Sequence, residues 1–339
     1  YILLSGYIVS DNKILLINSV FSYIQTVVMM IFIIDLSKIE GSNKFFIKSY
    51  AILAMVYAIT LIFWGYEDNG ITTVSSTSNP NNDGLVILYG VFCMFMLINN
   101  KKLFPIIISF VSNGVFVYAI VLTGSRKSFL AAVLLIVLWL LLVFKNHWNV
   151  LSFKNRLYLS FLIIPTLGFM IIKFMPFILD STLYTRLTEE VGYEGDINRI
   201  NMYKAALEYF YSNPFFGIGF NQFREFWGVY SHSTYAEILS TTGMIGTILY
   251  FTPYFIIISS LIRVYRKKKE SPIAGQAMLY IILMGVMLFL AVGNIHFYGI
   301  RDSLILALMI SFYYLENDKI KMEKDTERLI RKKIRNNRR

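Results

Sequence analysis

The sequence predicts an all-α polytopic membrane protein with one large structured loop outside the cytoplasm. Three observations predict it. Of 339 residues, 56% are hydrophobic and only 16% charged, where a soluble chain carries about a quarter charged. Those apolar residues, at a mean hydropathy of +0.57, gather into runs near the roughly 20 residues that cross a hydrocarbon core. The basic residues are distributed asymmetrically between the runs. Together these exclude a disordered chain, a fibre and an ordinary soluble enzyme. The single cysteine, Cys93, excludes a disulfide framework and a multi-cysteine metal site.

Nine runs read as spans: 13–35, 46–64, 84–99, 103–123, 128–144, 158–178, 243–262, 273–292 and 299–315. Residues 1–10 look like the end of an earlier span, and the first residue is Tyr1 rather than Met. That gives nine or ten helices. The segments 36–48, 100–102, 145–157, 263–270 and 316–339 hold 3, 2, 3, 5 and 10 Lys or Arg, which is 23 of the 32 in the chain. By the excess of positive charge on cytoplasmic loops, these five lie inside. The formal charge of +11 is therefore a topology signal. The basic tail reads as an anchor on anionic lipid and not as a nucleic-acid site. The expected placement is multi-pass in a membrane, with the C-terminus in the cytoplasm.

The expected organisation is four segments. N-terminal transmembrane helices occupy 1–178, an extracytoplasmic loop 179–242, C-terminal transmembrane helices 243–315, and a basic cytoplasmic tail 316–339. A second outer segment, 65–83, is polar and reads as irregular. The longer loop has internal order. Asn198 is placed to cap an amphipathic helix from Arg199 to about Tyr211. Asn213-Pro214 stops it. Gly217 and Gly219 then allow a tight turn or a close backbone approach to a ligand. A short aromatic segment, 223–227, ends at Gly228. Thr234 and Glu237 have the spacing of a capping box, with His232 just before the helix and Gly243 opening the next span.

Basic residues on the outer side run against the general trend. They are Arg126, Lys127, Arg186, Arg199, Lys204, Arg224 and Arg301. Long side chains snorkel, which is one account of Arg126 and Lys127. The other is an anionic ligand: convergent guanidiniums suit phosphate or pyrophosphate, because each offers paired donors. The loop 179–242 carries eight acidic residues against four basic ones, so discrete arginines would make such a site. His232 is either a surface cap residue or a proton acceptor beside a helix N-terminus. Asp302 is expected to pair with its neighbour Arg301. There is no Walker lysine motif, no HExxH and no zinc ligand set, so no cofactor or metal is expected. A reaction outside the cytoplasm needs a substrate already activated, and a lipid pyrophosphate meets that need.

The run from Tyr184 to Gly246 resembles the O-antigen ligase and Wzy-type polymerase family of bacterial surface polysaccharide synthesis. It contains Arg186-Leu187, Asn198-Arg199, Tyr203-Lys204-Ala205-Ala206, Asn213-Pro214 and Phe216-Gly217-Ile218-Gly219. It closes with His232-Ser233, Tyr235, Ile238 and Thr242-Gly243-Met244-Ile245-Gly246. Gly124-Ser125-Arg126 resembles the family's upstream Gly-Ser-Arg turn. Departures are Tyr203 for a Trp, Ser233 for an Asn, and Thr241-Thr242-Gly243 where an acidic residue and Gly are usual.

The resemblance implies a metal-independent, inverting glycosyltransferase with a GT-C-like helical bundle and a donor glycan on undecaprenyl pyrophosphate. It implies that Arg126 and Arg199, assisted by Arg186, hold the pyrophosphate. His232 then orients or deprotonates the acceptor hydroxyl, and Arg301, Arg224 and Lys127 are further candidates. The expected partners are the undecaprenyl-pyrophosphate-linked oligosaccharide, membrane lipid, and other assembly proteins such as a flippase or chain-length regulator. A composition rich in Ile, Lys, Asn, Phe and Tyr favours a capsular or exopolysaccharide polymerase over a ligase. A flippase would place polar groups deep in several spans, and these spans are nearly free of them.

Overall fold

The computed structural model describes residues 1–97, 103–147, 193–269, 271–297 and 299–336. The expected span 158–178, with Arg186 and Lys173, lies outside the described residues. The fold is almost entirely helical. In order come α1 (Ile2–Val9), α2 (Lys13–Leu36), α3 (Ser42–Trp64), α4 (Pro80–Leu97), α5 (Leu103–Leu122) and α6 (Arg126–His147). They are followed by α7 (Tyr193–Ser212), α8 (Gln222–Trp227), α9 (Thr234–Lys267), α10 (Pro272–Leu290) and α11 (Ile300–Asn336).

Each of the other eight expected spans coincides with a helix. Among the described residues, five helices are long and apolar enough to cross a membrane: α2, α3, α4, α9 and α10. A shorter apolar stretch, Val111–Leu122, lies in α5. These helices make the chain a multi-pass membrane protein. Large apolar side chains such as Phe21, Phe32, Leu53 and Phe63 are exposed on α2 and α3. A helix meets lipid with such a surface, because its backbone polar groups are satisfied internally.

The chain divides into two compact units. One comprises Lys44–Lys204 and Gly285–Leu290. In it α4 packs on α5 and α6. The buried positions of α3 are Ile47, Ala51, Ala54, Ala58 and Leu61, spaced four and three apart as one helical face requires. Small residues there let helices approach closely: a Cβ on Gly90 of α4 would fall 2.6 Å from the Ala54 Cβ. Phe95 of α4 stacks on Trp139 of α6 with ring centroids 4.4 Å apart.

The segment 65–83, expected to be irregular, contains an antiparallel hairpin, β1 (Tyr66–Asp68) and β2 (Ile71–Thr73). Its two-residue turn is Asn69-Gly70, both with positive φ (50° and 70°). Asn-Gly is the preferred pair for such a turn. Asp83, buried in the first turn of α4, ties the hairpin down. It accepts the Tyr57 hydroxyl at 2.7 Å and the Val74 N–H at 3.1 Å.

The other unit comprises Tyr1–Asn43, Ala205–Met284 and Ala291–Arg339. Here α2 and α9 each lie against α11, and α1 lies against α2 and α9. The core that positions the site joins four segments. Leu16 and Val20 come from α2, Phe220 from the glycine turn, Ile238 from α9, and Ile295 and Phe297 from the α10–α11 turn. Phe220 and Phe297 meet at 5.5 Å. The fully buried Gln222 of α8 exchanges two hydrogen bonds with the Asn12 backbone, each of 3.0 Å. Asn12 in turn caps α2 by accepting the Leu15 N–H at 2.9 Å. Neutral hydrogen bonds of this kind each contribute about 1 kcal/mol.

Helix α7 already runs at Tyr193, so Asn198 lies within it and is not its cap. An Asn is tolerated inside a helix at modest cost, so its cap propensity alone does not fix the boundary. Helix α11 continues from Ile300 through Asn336 without a break where the apolar run ends.

Candidate functional site

The candidate residues fall on both units. Arg126, Lys127 and Arg199 belong to one; His232, Arg224 and Arg301 belong to the other. Arg126 and Lys127 open α6, half-buried, directly after a tight turn. Gly124 has φ +60°, a conformation that costs a side-chain-bearing residue about 1–2 kcal/mol. Ser125 and Ser128 are buried. The Ser125 Oγ lies 3.0 Å from both Asn81 Oδ1 and Ser128 Oγ. A Cβ on Gly84 would fall 2.7 Å from the Ser128 Oγ, so α4 and this turn are in close contact. The start of α6 carries the positive end of the helix dipole, a setting for an anion. Arg199 is half-buried on α7, and Lys204 is exposed on the same helix.

In the second unit the site is built around residues 230–237. The helix begins one residue earlier than the capping-box spacing suggests. Its N-cap is Ser233, whose side chain accepts the Ala236 N–H at 3.4 Å. Glu237 therefore does not close a box with Thr234. Its Oε2 reaches back over the turn and accepts the Ser231 N–H at 2.7 Å. The Ser231 hydroxyl spans the same turn, donating to the Ser233 carbonyl at 3.0 Å. Between these two serines sits His232, half-buried, with φ +59°. A non-glycine residue there is strained by about 1–3 kcal/mol and persists only where its surroundings hold it. Tyr230 packs beside the imidazole, ring centroids 4.6 Å apart.

Glu237 is fully buried and lies before the Gly243 break.

Thr234 then clamps this turn to the α10–α11 turn. Its N–H donates to the carbonyls of Ala291 (2.9 Å) and Asn294 (3.0 Å). Its hydroxyl donates to Asn294 at 2.6 Å and accepts the His296 N–H at 3.0 Å. His296 is itself buried, with its Nδ1 3.1 Å from Asp302 Oδ1. A partner of Asp302 is thus His296, which the sequence does not suggest. Positions i and i+1 of a helix diverge by about 100°, while the preceding turn folds His296 back over the first turn of α11.

The glycine turn approaches protein backbone, where the sequence left a turn or a ligand open. Ile218 and Gly219 donate their N–H groups to Ser240 and Thr241, at 2.9 and 3.0 Å. They meet α9 where it is broken. Gly243 has φ +65° and ψ −168° inside the helix, and a Cβ on it would fall 2.5 Å from the Phe215 backbone. The Met244 N–H, released from the helix ladder, donates to the Pro214 carbonyl at 2.8 Å. Arg224 is exposed on α8, which ends at Gly228 as expected.

The family model described as Wzy_C, O-antigen ligase, matches residues 111–251. The matched stretch is less than half of the chain. It runs from α5 to beyond the Gly243 break, and holds Arg126, Arg186, Arg199, Arg224, His232 and Glu237. Arg301 and the His296–Asp302 pair fall outside it. No curated protein matches the chain.

Proposed function

We propose that this protein is a membrane glycosyltransferase that moves a glycan from a polyprenyl pyrophosphate carrier to an acceptor, in the manner of O-antigen ligation. The match of that family's model to residues 111–251 carries the proposal. The compositional preference for a polymerase rests on genome bias, which says nothing about the acceptor. The description of the matched family favours ligation. The two differ only in acceptor: a lipid A core or similar molecule for a ligase, a second lipid-linked repeat for a polymerase.

In the proposed reaction the acceptor hydroxyl attacks the anomeric carbon from the side opposite the pyrophosphate, so the anomeric configuration inverts. A glycosidic C–O bond forms and the anomeric C–O bond to the pyrophosphate breaks. The hydroxyl proton passes to the His232 imidazole. Polyprenyl pyrophosphate leaves with its charge stabilised by Arg126 and Arg199, assisted by Arg186. The lipid tail remains in the bilayer throughout, at the outer face of the membrane.

The test is transfer by the purified protein in EDTA, with a lipid-pyrophosphate oligosaccharide and either acceptor. Glycan on the lipid A core acceptor is expected, with losses of about 10²–10⁴-fold in Arg199→Ala and His232→Ala. Lengthened lipid-linked chains alone would replace the ligase with a polymerase. Movement of donor across a vesicle bilayer with no new glycosidic bond would replace both with a flippase. Undiminished transfer by the two variants would remove their assigned roles.

A further inference from the structure

We propose that Glu237 is the positioning residue for His232, holding the imidazole in its reactive orientation through the Ser231–Ser233 turn. The inference rests on the transferase reading for its consequence, and on local geometry for its cause. The carboxylate is shut off from solvent. One oxygen accepts the Ser231 N–H at 2.7 Å. The other, Oε1, is buried with no hydrogen-bond partner among the described residues. A fully buried carboxylate with half of its hydrogen bonding unmet is costly, and a neutral, well-packed side chain would serve the helix better. Stability of α9 is therefore not what this residue supplies.

What it supplies is the anchor of a strained turn. His232 has φ +59°, a conformation that costs a side-chain-bearing residue about 1–3 kcal/mol. Both flanking residues are pinned. Ser231 is held at its N–H by Glu237 and crosses to Ser233 through its hydroxyl. Ser233 is held by its cap bond and by the Ala291 carbonyl, 3.5 Å from its Oγ. On the helix side, the clamp of Thr234 fixes the next residue. Glu237, in the first turn of α9, reaches back across His232 to the Ser231 N–H. Remove it, and the Ser231 N–H is left buried without its acceptor, and the turn is free to relax to negative φ.

The experiment uses the full chain in detergent. The His232 imidazole is followed by NMR, picked out from the chain's three histidines by its loss in His232→Ala. Transfer is measured in parallel. In Glu237→Ala the His232 resonance moves and transfer falls about 10–100-fold, the scale of a small misplacement of a reacting group. KM for the lipid donor stays constant. Glu237→Gln, which keeps an acceptor for the Ser231 N–H, retains both the resonance and the rate. In a His232→Ala background Glu237→Ala costs nothing more, because it acts through the missing imidazole.

An unmoved His232 resonance in Glu237→Ala overturns the proposal, as does an equal loss in both backgrounds. If Glu237→Ala does not fold, Ser231→Ala deletes the hydroxyl that spans the turn, and an unmoved resonance there overturns it equally. A moved resonance in Glu237→Ala, with no glycan transferred by wild type, upholds the positioning role and removes the transferase reading, so the two failures are distinguishable.

Discussion

Two turns of this protein display a residue proposed for the reaction, and they solve the same steric problem in opposite ways. At 123–126 the positive φ falls on Gly124, and Arg126 follows two residues later at the start of a regular helix. At 230–234 the positive φ falls on His232 itself. A glycine adopts that region at no steric cost, so the arginine turn is specified locally. The histidine turn is specified by a surrounding network: Glu237 on the Ser231 N–H, the Ser231 hydroxyl on Ser233, and Thr234 on the α10–α11 turn. A turn that only has to present a charge can be built from its own residues. A turn that must hold an imidazole in one orientation has its strain balanced from outside.

The largest expected effect that separates the two is the loss of an outside anchor. Glu237→Ala leaves the buried Ser231 N–H without its acceptor and should cost about 3 kcal/mol. Unfolding of wild type and Glu237→Ala in detergent checks it, and equal stability would show that the histidine turn is specified by its own residues.

A smaller effect comes from the clamp. Thr234→Val deletes one donated and one accepted hydrogen bond and leaves the Asn294 carbonyl and His296 N–H short of a partner. A loss of about 2 kcal/mol is expected, together with faster amide hydrogen exchange at His296. Unchanged exchange would mean that the two turns are joined by packing alone.

The smallest effects should have opposite signs. Gly124→Ala places a Cβ at φ +60° and should cost about 1 kcal/mol. His232→Gly relieves the same strain and should gain up to about 1 kcal/mol while transfer is lost. Equal signs in thermal or denaturant unfolding would break the comparison between the two turns.

How far these features are legible in the sequence follows from their range. Apolar runs are local, and eight of them coincide with helices. Gly228 ends α8 because one residue suffices to end it. The hairpin at 66–73 also has a local signal, Asn69-Gly70, masked by the polar residues around it. The site is less legible because its contacts are not local. A Ser-Thr pair before Glu237 leaves the cap ambiguous by one residue, and that residue decides whether the carboxylate serves the helix or the turn. His296 and Asp302 meet only because a turn reverses between them, so charge and spacing favour the nearer Arg301. The Gly217 and Gly219 pattern correctly marks a close approach, yet cannot say that the approaching surface is the chain's own α9.

The break at Gly243 has a mechanical consequence. Residues 234–242 are bonded to the glycine turn on one side and to the α10–α11 turn on the other, while 244–267 continues as a separate helical rod. A rod in a bilayer tilts as the lipid around it thickens or thins. With the helix axis interrupted at one residue, the Gly243 torsions take up part of that tilting, and the rest reaches the histidine turn through Tyr235, whose ring stacks on Phe251 of the rod at 5.2 Å.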